Sequence, residues 1–141
     1  MAIERIDKYT RKNVEDDVIF SDFFNNFNAH PNTGNVVLRT NVDAVTRSIK
    51  NVVLTRPLER FYNPDFGCDI HRYLFEPNDS TLRSNIKDAI KYSIETYEPR
   101  AKLQDIVVSS IDDLSVSVDI YFRVMRQQNV NLLQIKLDRV R

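Results

Sequence analysis

The chain is poor in the residues that make proteins flexible or cross-linked. Its 141 residues include two glycines and one cysteine. A single cysteine excludes a disulfide within the chain. Both glycines stand in or beside turn sequences, so no flexible glycine-rich linker divides the chain. The chain is long enough for one domain, and 42% of its residues are hydrophobic, which is sufficient for a core.

Neither sign of charge dominates, and no long hydrophobic run occurs. The 20 lysines and arginines balance 20 aspartates and glutamates, whereas nucleic-acid binding calls for a clustered basic excess. No stretch approaches the roughly 20 apolar residues of a membrane-spanning helix. Residues 1–10 contain no apolar core of a signal peptide. We therefore expect synthesis in the cytoplasm, without nucleic-acid binding or membrane insertion.

Motifs that carry enzyme chemistry are also scarce. Cys68 and His71 have metal-ligand spacing, but two ligands do not make a zinc site. There is no glycine-rich phosphate loop and no Gly-x-Ser-x-Gly motif. A glycosidase needs two carboxylates across a cleft, and the candidates near aromatic residues are Glu59, Asp65, Glu76 and Glu98. Since 20 acidic residues produce such neighbours by chance, we predict no catalytic residue, metal, cofactor or small-molecule substrate.

Residues 41–54 have the spacing of an amphipathic helix. Their apolar side chains recur on one face of a 3.6-residue period, namely Val42, Val45, Ile49, Val52 and Val53. Thr40 or Asn41 can supply the N-cap oxygen. Pro57 ends this helix because it restricts the residue before it.

A longer helix is predicted from Asp79 or Ser80 to Tyr97, and Pro99 ends it. Its apolar face consists of Leu82, Ile86, Ala89, Ile90, Ile94 and Tyr97. One or two further helical turns are predicted before it, with an apolar edge formed by Ile70, Leu74 and Phe75.

The C-terminal third changes to a period of two, which is typical of half-buried strands. Residues 103–109 form a first strand, and 114–125 and 130–138 form a long hairpin around a polar turn. Val130 and Leu132 have the opposite parity to the inner face of the last strand, which indicates a bulge or a second contact surface. The expected common core comprises Ile86, Ile90, Ile94, Val116, Val118, Ile120 and Phe122.

The N-terminal part is harder to place. Residues 1–17 are polar and weakly patterned, which suggests an arm, and the aromatic-rich stretch 18–27 must pack on some surface. A short strand is predicted at residues 36–39. The expected fold is α+β: one domain, residues 18–141, with amphipathic helices packed on a mostly antiparallel sheet.

Three segments, taken in order, resemble a known family. They are residues 48–60 (SIKNVVLTRPLER), residues 63–77 with NPDFG at the start and LFEP at the end, and residues 97–100 (YEPR). Together they resemble the contractile-tail baseplate wedge family, which includes phage gene product W, the small wedge protein of T-even-type phages and its type VI secretion counterpart. The stretch from Phe20 to Pro31 also looks like T-even-type members, so the resemblance spans roughly residues 18–138.

The resemblance implies a non-catalytic virion protein in the tail baseplate, made in the host cytoplasm. Its implied partners are other baseplate wedge proteins and the tail sheath protein, which would extend a sheet edge of the wedge subunit. Some family members carry a lysozyme-like label, so a tail-associated peptidoglycan hydrolase is the alternative. Related sequences tend to have glycine where this chain has Leu58. Because leucine disfavours a positive φ, we expect a different local turn beside Glu59 and Arg60.

Two places are candidates for partner binding. The first is the corner Glu98, Pro99 and Arg100, with Glu59 and Arg60 as further candidates. Arg100 could bind a partner carboxylate with two hydrogen bonds, or it could brace the corner by capping the helix or pairing with Glu98. The second is the last strand, where Gln134 marks an outward position on an edge that could recruit another strand.

Overall fold

A computed structural model describes residues 18–23, 29, 34–77, 79–112 and 115–138. The predicted arm, residues 1–17, lies outside the described residues, as does most of the aromatic stretch after Phe23. The chain divides into two compact units on either side of the bond between Asn41 and Val42. The proposed boundary between an arm and a single domain at residue 18 stays a prediction.

The first unit contains a short antiparallel ladder. Strand β1 (Ser21–Phe23) pairs with β2 (Leu38–Thr40), which begins two residues later than the predicted strand. Asn41 adopts a positive φ of 49°, a conformation that asparagine tolerates better than most residues. Its side-chain oxygen accepts hydrogen bonds from the backbone N–H groups of Ile19, at 2.9 Å, and Phe20, at 3.3 Å. Asn41, one of the two candidates for the N-cap oxygen of α1, thus holds the segment that leads into β1.

Three helices have the predicted bounds or nearly so. Helix α1 spans Asn41–Leu54, α2 spans Ile70–Tyr73 and α3 spans Ser80–Tyr97. Asp79 is the N-cap of α3, and its carboxylate accepts from the Leu82 N–H at 2.8 Å. No helix among the described residues is both long and apolar enough to cross a membrane.

The apolar helix faces are largely buried as predicted, although Ala89 and Tyr97 on α3 are only half-buried. On α1, Val45, Ile49, Val52 and Val53 are buried, whereas Val42 is only half-buried. Ile70 and Leu74 are buried around α2, but Phe75 is 73% exposed and does not belong to this apolar edge. Phe75 follows the end of the short helix, so its side chain is no longer held on the helix's buried face.

The second unit contains a three-stranded antiparallel sheet in the order β3-β4-β5. Strand β3 spans Ala101–Asp112, β4 spans Ser115–Val124 and β5 spans Val130–Asp138. The strands follow one another in sequence, so each pair is joined by a short connection. Strand β3 is longer than predicted and carries register shifts between Leu103 and Asp105 and between Ser110 and Asp112. The bulges therefore lie in β3, while β5 pairs with β4 in unbroken register.

One face of the sheet and the buried face of α3 form the main core. α3 packs against β3, and all seven predicted core residues are buried. They are Ile86, Ile90, Ile94, Val116, Val118, Ile120 and Phe122. The inward residues of β5 are buried too, namely Leu133, Ile135 and Leu137. The α+β fold with a long C-terminal hairpin is thus confirmed.

The opposite face of the sheet is more covered than the alternating pattern predicts. Ser115 and Ser117 on β4 are 4% and 5% exposed, although they occupy the polar parity. β4 is the central strand, and β5 places the longer side chains of Asp138 and Lys136 directly opposite these two serines. Both serines therefore have a neighbouring strand on each side.

We expect Ile90→Ala or Ile120→Ala to lower the free energy of unfolding by about 2–5 kcal/mol, because each removes buried methyl groups and leaves a cavity. Denaturant unfolding measures this loss. Leu132→Ala is the control on the other face, since Leu132 is 55% exposed, and it should change stability by less than about 1 kcal/mol. Similar losses in all three variants would contradict the assignment of the faces.

Candidate partner-binding site

The corner at residues 98–100 joins the long helix to the sheet. The Glu98 N–H donates to the Ile94 carbonyl at 2.9 Å and so closes the last turn of α3. The Glu98 carbonyl then accepts from the Ala101 N–H at 3.1 Å, where β3 begins. The Arg100 carbonyl accepts from the Met125 N–H at 2.9 Å, which fixes the corner to the end of β4. Three backbone hydrogen bonds therefore fix the corner between α3 and the sheet.

An ion pair braces this corner from inside. The Arg100 guanidinium donates twice to the Glu98 carboxylate, from Nε to Oε1 and from Nη2 to Oε2, each at 2.6 Å. Glu98 is 1% exposed, whereas the Arg100 side chain is 34% exposed. Such bidentate pairing, with one donor to each carboxylate oxygen, is among the strongest arrangements that arginine and a carboxylate form. The Ser48 side chain on α1 adds a further hydrogen bond to Glu98.

The pair also decides the charge of Glu98. Burial on its own would raise the pKa of this carboxyl group, because it disfavours the charged form. Hydrogen bonds from Arg100 and Ser48, together with the positive charge of Arg100, act in the opposite direction and prevail, so the pKa is lowered below its ordinary value. Glu98 is consequently ionised near neutral pH.

The structure therefore contains the internal bracing that was one of the two alternatives for Arg100. Pro99 lies exposed at the tip of the corner, and about a third of the Arg100 side chain reaches the surface. A contact from Pro99 or Arg100 to a partner stays a prediction, compatible with the internal pair.

A second feature is the loop at residues 55–68, which we call the clamped loop. Its ends are joined by a hydrogen bond from the Cys68 N–H to the Thr55 carbonyl at 2.9 Å. Inside it, the Leu58 N–H donates to the Pro64 carbonyl at 2.7 Å, and the Asn63 N–H donates to the Arg60 carbonyl at 3.3 Å. These nested bonds make the loop a compact projection rather than a loose connection.

Two residues of the clamped loop have a positive φ. Leu58 has a φ of 69°, so leucine adopts here a left-handed conformation that favours glycine. A difference between this turn and that of related sequences stays a prediction. Gly67 has a φ of 126°, and a Cβ at this position would lie 2.4 Å from the Thr55 carbonyl oxygen. Only glycine fits at Gly67 without a backbone shift.

The predicted site residues Glu59 and Arg60 help to hold this loop. The Glu59 carboxylate accepts from the Arg56 N–H at 2.8 Å. The Arg60 guanidinium lies 3.8 Å above the centre of the Phe66 ring, a cation–π contact. Both side chains are exposed at the surface, so each also remains accessible.

The clamped loop is attached to the end of α3, one residue before the corner. The rings of Phe66 and Tyr97 lie 5.0 Å apart in a tilted arrangement, and the Tyr97 hydroxyl donates to the Asp65 carbonyl. Because Glu98 follows Tyr97 directly, the structure brings Glu59 and Arg60 onto the same end of α3 as the corner. Gln134 does not join them, since it lies on β5.

Strand β5 has an open side, by which we mean the side whose backbone groups point away from β4. The alternation of hydrogen bonds along the strands identifies it. In an antiparallel pair, successive residues direct their backbone groups to opposite sides. Met125 donates towards Arg100 on the β3 side, so the even-numbered residues of β4 face β5. Their partners on β5 are Asn131, Leu133, Ile135 and Leu137. The intervening residues of β5, including Gln134, therefore direct N–H and C=O away from β4, and among the described residues β5 pairs with β4 alone.

Of the carboxylates considered for glycoside hydrolysis, Glu98 has a pKa shift in the wrong direction for a general acid. A general acid needs a raised pKa, whereas the pKa of Glu98 is lowered by its ion pair. Glu59, Asp65 and Glu76 are exposed in turns. Cys68 is 1% exposed and hydrogen-bonds with Ser93 on α3, and burial raises its thiol pKa. Cys68 is therefore part of the core.

Comparison with known proteins identifies the family. The model of the baseplate wedge protein gp25 family matches residues 39–129, a range that contains the clamped loop, the corner and β4. The chain belongs to the baseplate wedge protein gp25 family. The baseplate wedge protein gp25 of Enterobacteria phage T4 is 35% identical over 96 residues, which cover 64% of this chain and 72% of that protein. The predicted family and the prediction of a contractile-tail virion protein are thereby confirmed.

Solved structures agree with this assignment. A Geobacter sulfurreducens protein described as a candidate tail lysozyme is 26% identical, with a TM-score of 0.69 over 74% of this chain and 96% of that one. A chain of the anti-feeding prophage baseplate is 25% identical, with a TM-score of 0.60 over 83% of each chain. A chain of the postcontracted pyocin R2 baseplate, at 17% identity and a TM-score of 0.51 over 79% of this chain and 96% of that one, shares the fold.

Sequence reasoning missed several residues that shape this wedge protein's surface. Ser48 is distant from Glu98 in sequence, and no local pattern indicates that they meet. Tyr97 was assigned to the apolar face of α3, whereas its hydroxyl holds the clamped loop. Phe61 and Tyr62 are fully exposed; the available signal was two adjacent aromatic residues in a turn-rich segment.

Arg100→Ala should lower the free energy of unfolding by about 3 kcal/mol, because it leaves the buried Glu98 carboxylate without its charged partner. This value is at the low end for buried pairs, since Arg100 is partly exposed and water can replace it in part. Thermal or denaturant unfolding measures the loss. Arg123→Ala, at an exposed position on β4, is the control. An unchanged stability of Arg100→Ala would contradict the bracing role.

The stability of the protein should also depend on acid through Glu98. Because the pKa of Glu98 is lower when folded than when unfolded, its contribution is complete above the ordinary glutamate pKa of about 4.3 and is lost as the pH falls through the lowered value. In Glu98→Gln, the free energy of unfolding should fall less steeply on acidification than in the wild type. Urea unfolding across acidic pH measures the slope.

Asp105→Asn is the control for the pH dependence. The pKa of Asp105 is also lowered, by a hydrogen bond from Lys87, but this pair is exposed to solvent, so its removal should alter the slope less. Equal slopes in the wild type and Glu98→Gln would rule out Glu98 as a source of the acid sensitivity.

Proposed function

We propose that this baseplate wedge protein is a non-catalytic connector that joins other wedge proteins through the corner and the clamped loop, and that it starts the tail sheath by offering the open side of β5. The observation that carries the proposal is the row of β5 backbone groups that point away from β4, which no other described strand pairs. A first sheath ring has no ring below it to copy, so it needs a template. Backbone hydrogen bonds to an added strand provide affinity with little demand on side-chain identity.

The features of the two edge strands favour β5 over β3. Bulges twist an edge and hinder further pairing, and β3 has two register shifts. β5 is regular from Val130 to Asp138. Lys136 and Asp138 place charges at its end, 3.5 Å apart, and such charges discourage indiscriminate pairing. The stretch from Val130 to Gln134 has no charged side chain and suits an incoming strand.

The charges of the corner support a connector rather than a hydrolase. Glu98 forms an ion pair with Arg100. Its lowered pKa disfavours the protonated form that a general acid needs. Glu59 and Arg60 stand exposed on the loop that the same helix end holds. This arrangement presents a rigid surface for neighbouring wedge proteins, which are the class of partner that a baseplate supplies.

The test of the template is a proline in β5. Gln134→Pro removes an N–H that points away from β4, so the sheet should keep its ladder while the open side is blocked. We expect this variant to fold and to enter baseplates, and the resulting tails to lack sheath. Electron microscopy of tails assembled with each variant measures the outcome.

Gln134→Ala is the matched control, because it removes the same side chain and keeps the backbone donor. It should give normally sheathed tails. If tails assembled with Gln134→Pro carry a normal sheath, β5 is not the template. The family membership is unaffected by that result.

A further inference from the structure

The tip of the clamped loop carries three apolar side chains with almost no cover. Leu58 is 80% exposed, Phe61 is 99% exposed and Tyr62 is 103% exposed relative to the reference state. They lie on one seven-residue segment whose ends are joined by the bond from the Leu58 N–H to the Pro64 carbonyl. Isolated exposed apolar residues are ordinary, but three on one short closed segment form a concentrated apolar projection.

This projection is held in place rather than loosely attached. The base is closed between Thr55 and Cys68, and Gly67 leaves no room for a side chain beside Thr55. The Phe66 ring contacts both the Arg60 guanidinium and the tilted ring of Tyr97. A segment ordered before binding loses less conformational entropy when it binds. Aromatic residues on such rigid supports are the typical anchors of protein interfaces.

We propose that Leu58, Phe61 and Tyr62 form a preformed anchor that enters an apolar pocket on a neighbouring baseplate protein. The inference rests on the proposed connector function and names the surface that performs it. A convex tip requires a concave partner, and the Tyr62 hydroxyl requires a polar group at the rim of that pocket. The anchor projects from the loop that Tyr97 attaches to the end of α3, one residue before the corner.

The charges around the tip favour a protein pocket over a lipid surface. Arg56 and Arg60 are balanced by Glu59 and Asp65 within the same loop. Attraction to an anionic membrane increases with basic residues near the surface, and here the loop has no basic excess. Insertion into a membrane is therefore the alternative that the experiment must distinguish from binding to a protein.

The experiment compares a double variant, Phe61→Ser with Tyr62→Ser, with a matched control, Phe75→Ser with Tyr92→Ser. The control removes two aromatic residues that are also exposed, 73% and 69%, but on other elements. Each full-length variant is co-expressed with the other wedge proteins of the same tail and purified with them. We expect unchanged melting temperatures in both. The recovery of the wedge complex should fall at least about 10-fold in the tip variant only.

A second measurement identifies the occupant directly. Benzoylphenylalanine at position 61 should cross-link to one wedge protein at a peptide that lines an apolar pocket.

Normal recovery of the complex with the tip variant would overturn the anchor and leave the connector function standing. If the wild type binds no wedge protein, the connector function fails, and the absence of a protein cross-link in intact tails then overturns the anchor separately. Flotation of the wild type, but not the tip variant, with phosphatidylcholine–phosphatidylserine vesicles would assign the tip to membranes and overturn the proposal.

Discussion

The ion pair between Glu98 and Arg100 is the interaction on which the surface of this wedge protein depends. A buried carboxylate is unfavourable unless it is paired and hydrogen-bonded, and Glu98 obtains both from Arg100 two residues later. Because Pro99 stands between them, the chain must turn at this point. The pair thus couples the end of α3 to the start of β3, and Ser48 extends the same network to α1.

The clamped loop depends on this arrangement. It is attached to α3 through Tyr97, the residue immediately before the ion pair. A change in the direction of the helix end would therefore move both the corner and the exposed tip of the loop. Both of the proposed partner-binding features, the corner and the clamped loop, therefore lie at one end of α3.

The sheet contributes a surface of a different kind. Its inner face is apolar and packs with α3, while the backbone groups on the side of β5 that points away from β4 pair with no other strand in the described part of the chain. Side chains and backbone groups have the same two-residue alternation along a strand. On β5 this places the buried residues in the ladder with β4 and leaves the exposed residues directed to the open side. A single register therefore determines both the core and the surface that another strand could reach.

Local patterns in the sequence were enough to predict most of the elements. The 3.6-residue spacing identified α1 and α3, Pro57 and Pro99 indicated where they end, and the strict alternation after residue 114 identified β4 and its inward face. These signals are local because helix and strand periodicities are properties of consecutive residues. The order of the segments up to Tyr97–Arg100 also indicated the family before any fold was known.

The tertiary structure decided what those residues do. No local rule tells whether Arg100 faces a partner or Glu98, that Ser48 approaches Glu98, or that Leu58 adopts a left-handed conformation. The burial of Ser115 and Ser117 likewise depends on their place in the central strand. Sequence by itself determined the elements and the family, since both depend on short-range pattern. Ion pairing, strain and exposure were determined only by the fold, because they depend on residues brought together from distant parts of the chain.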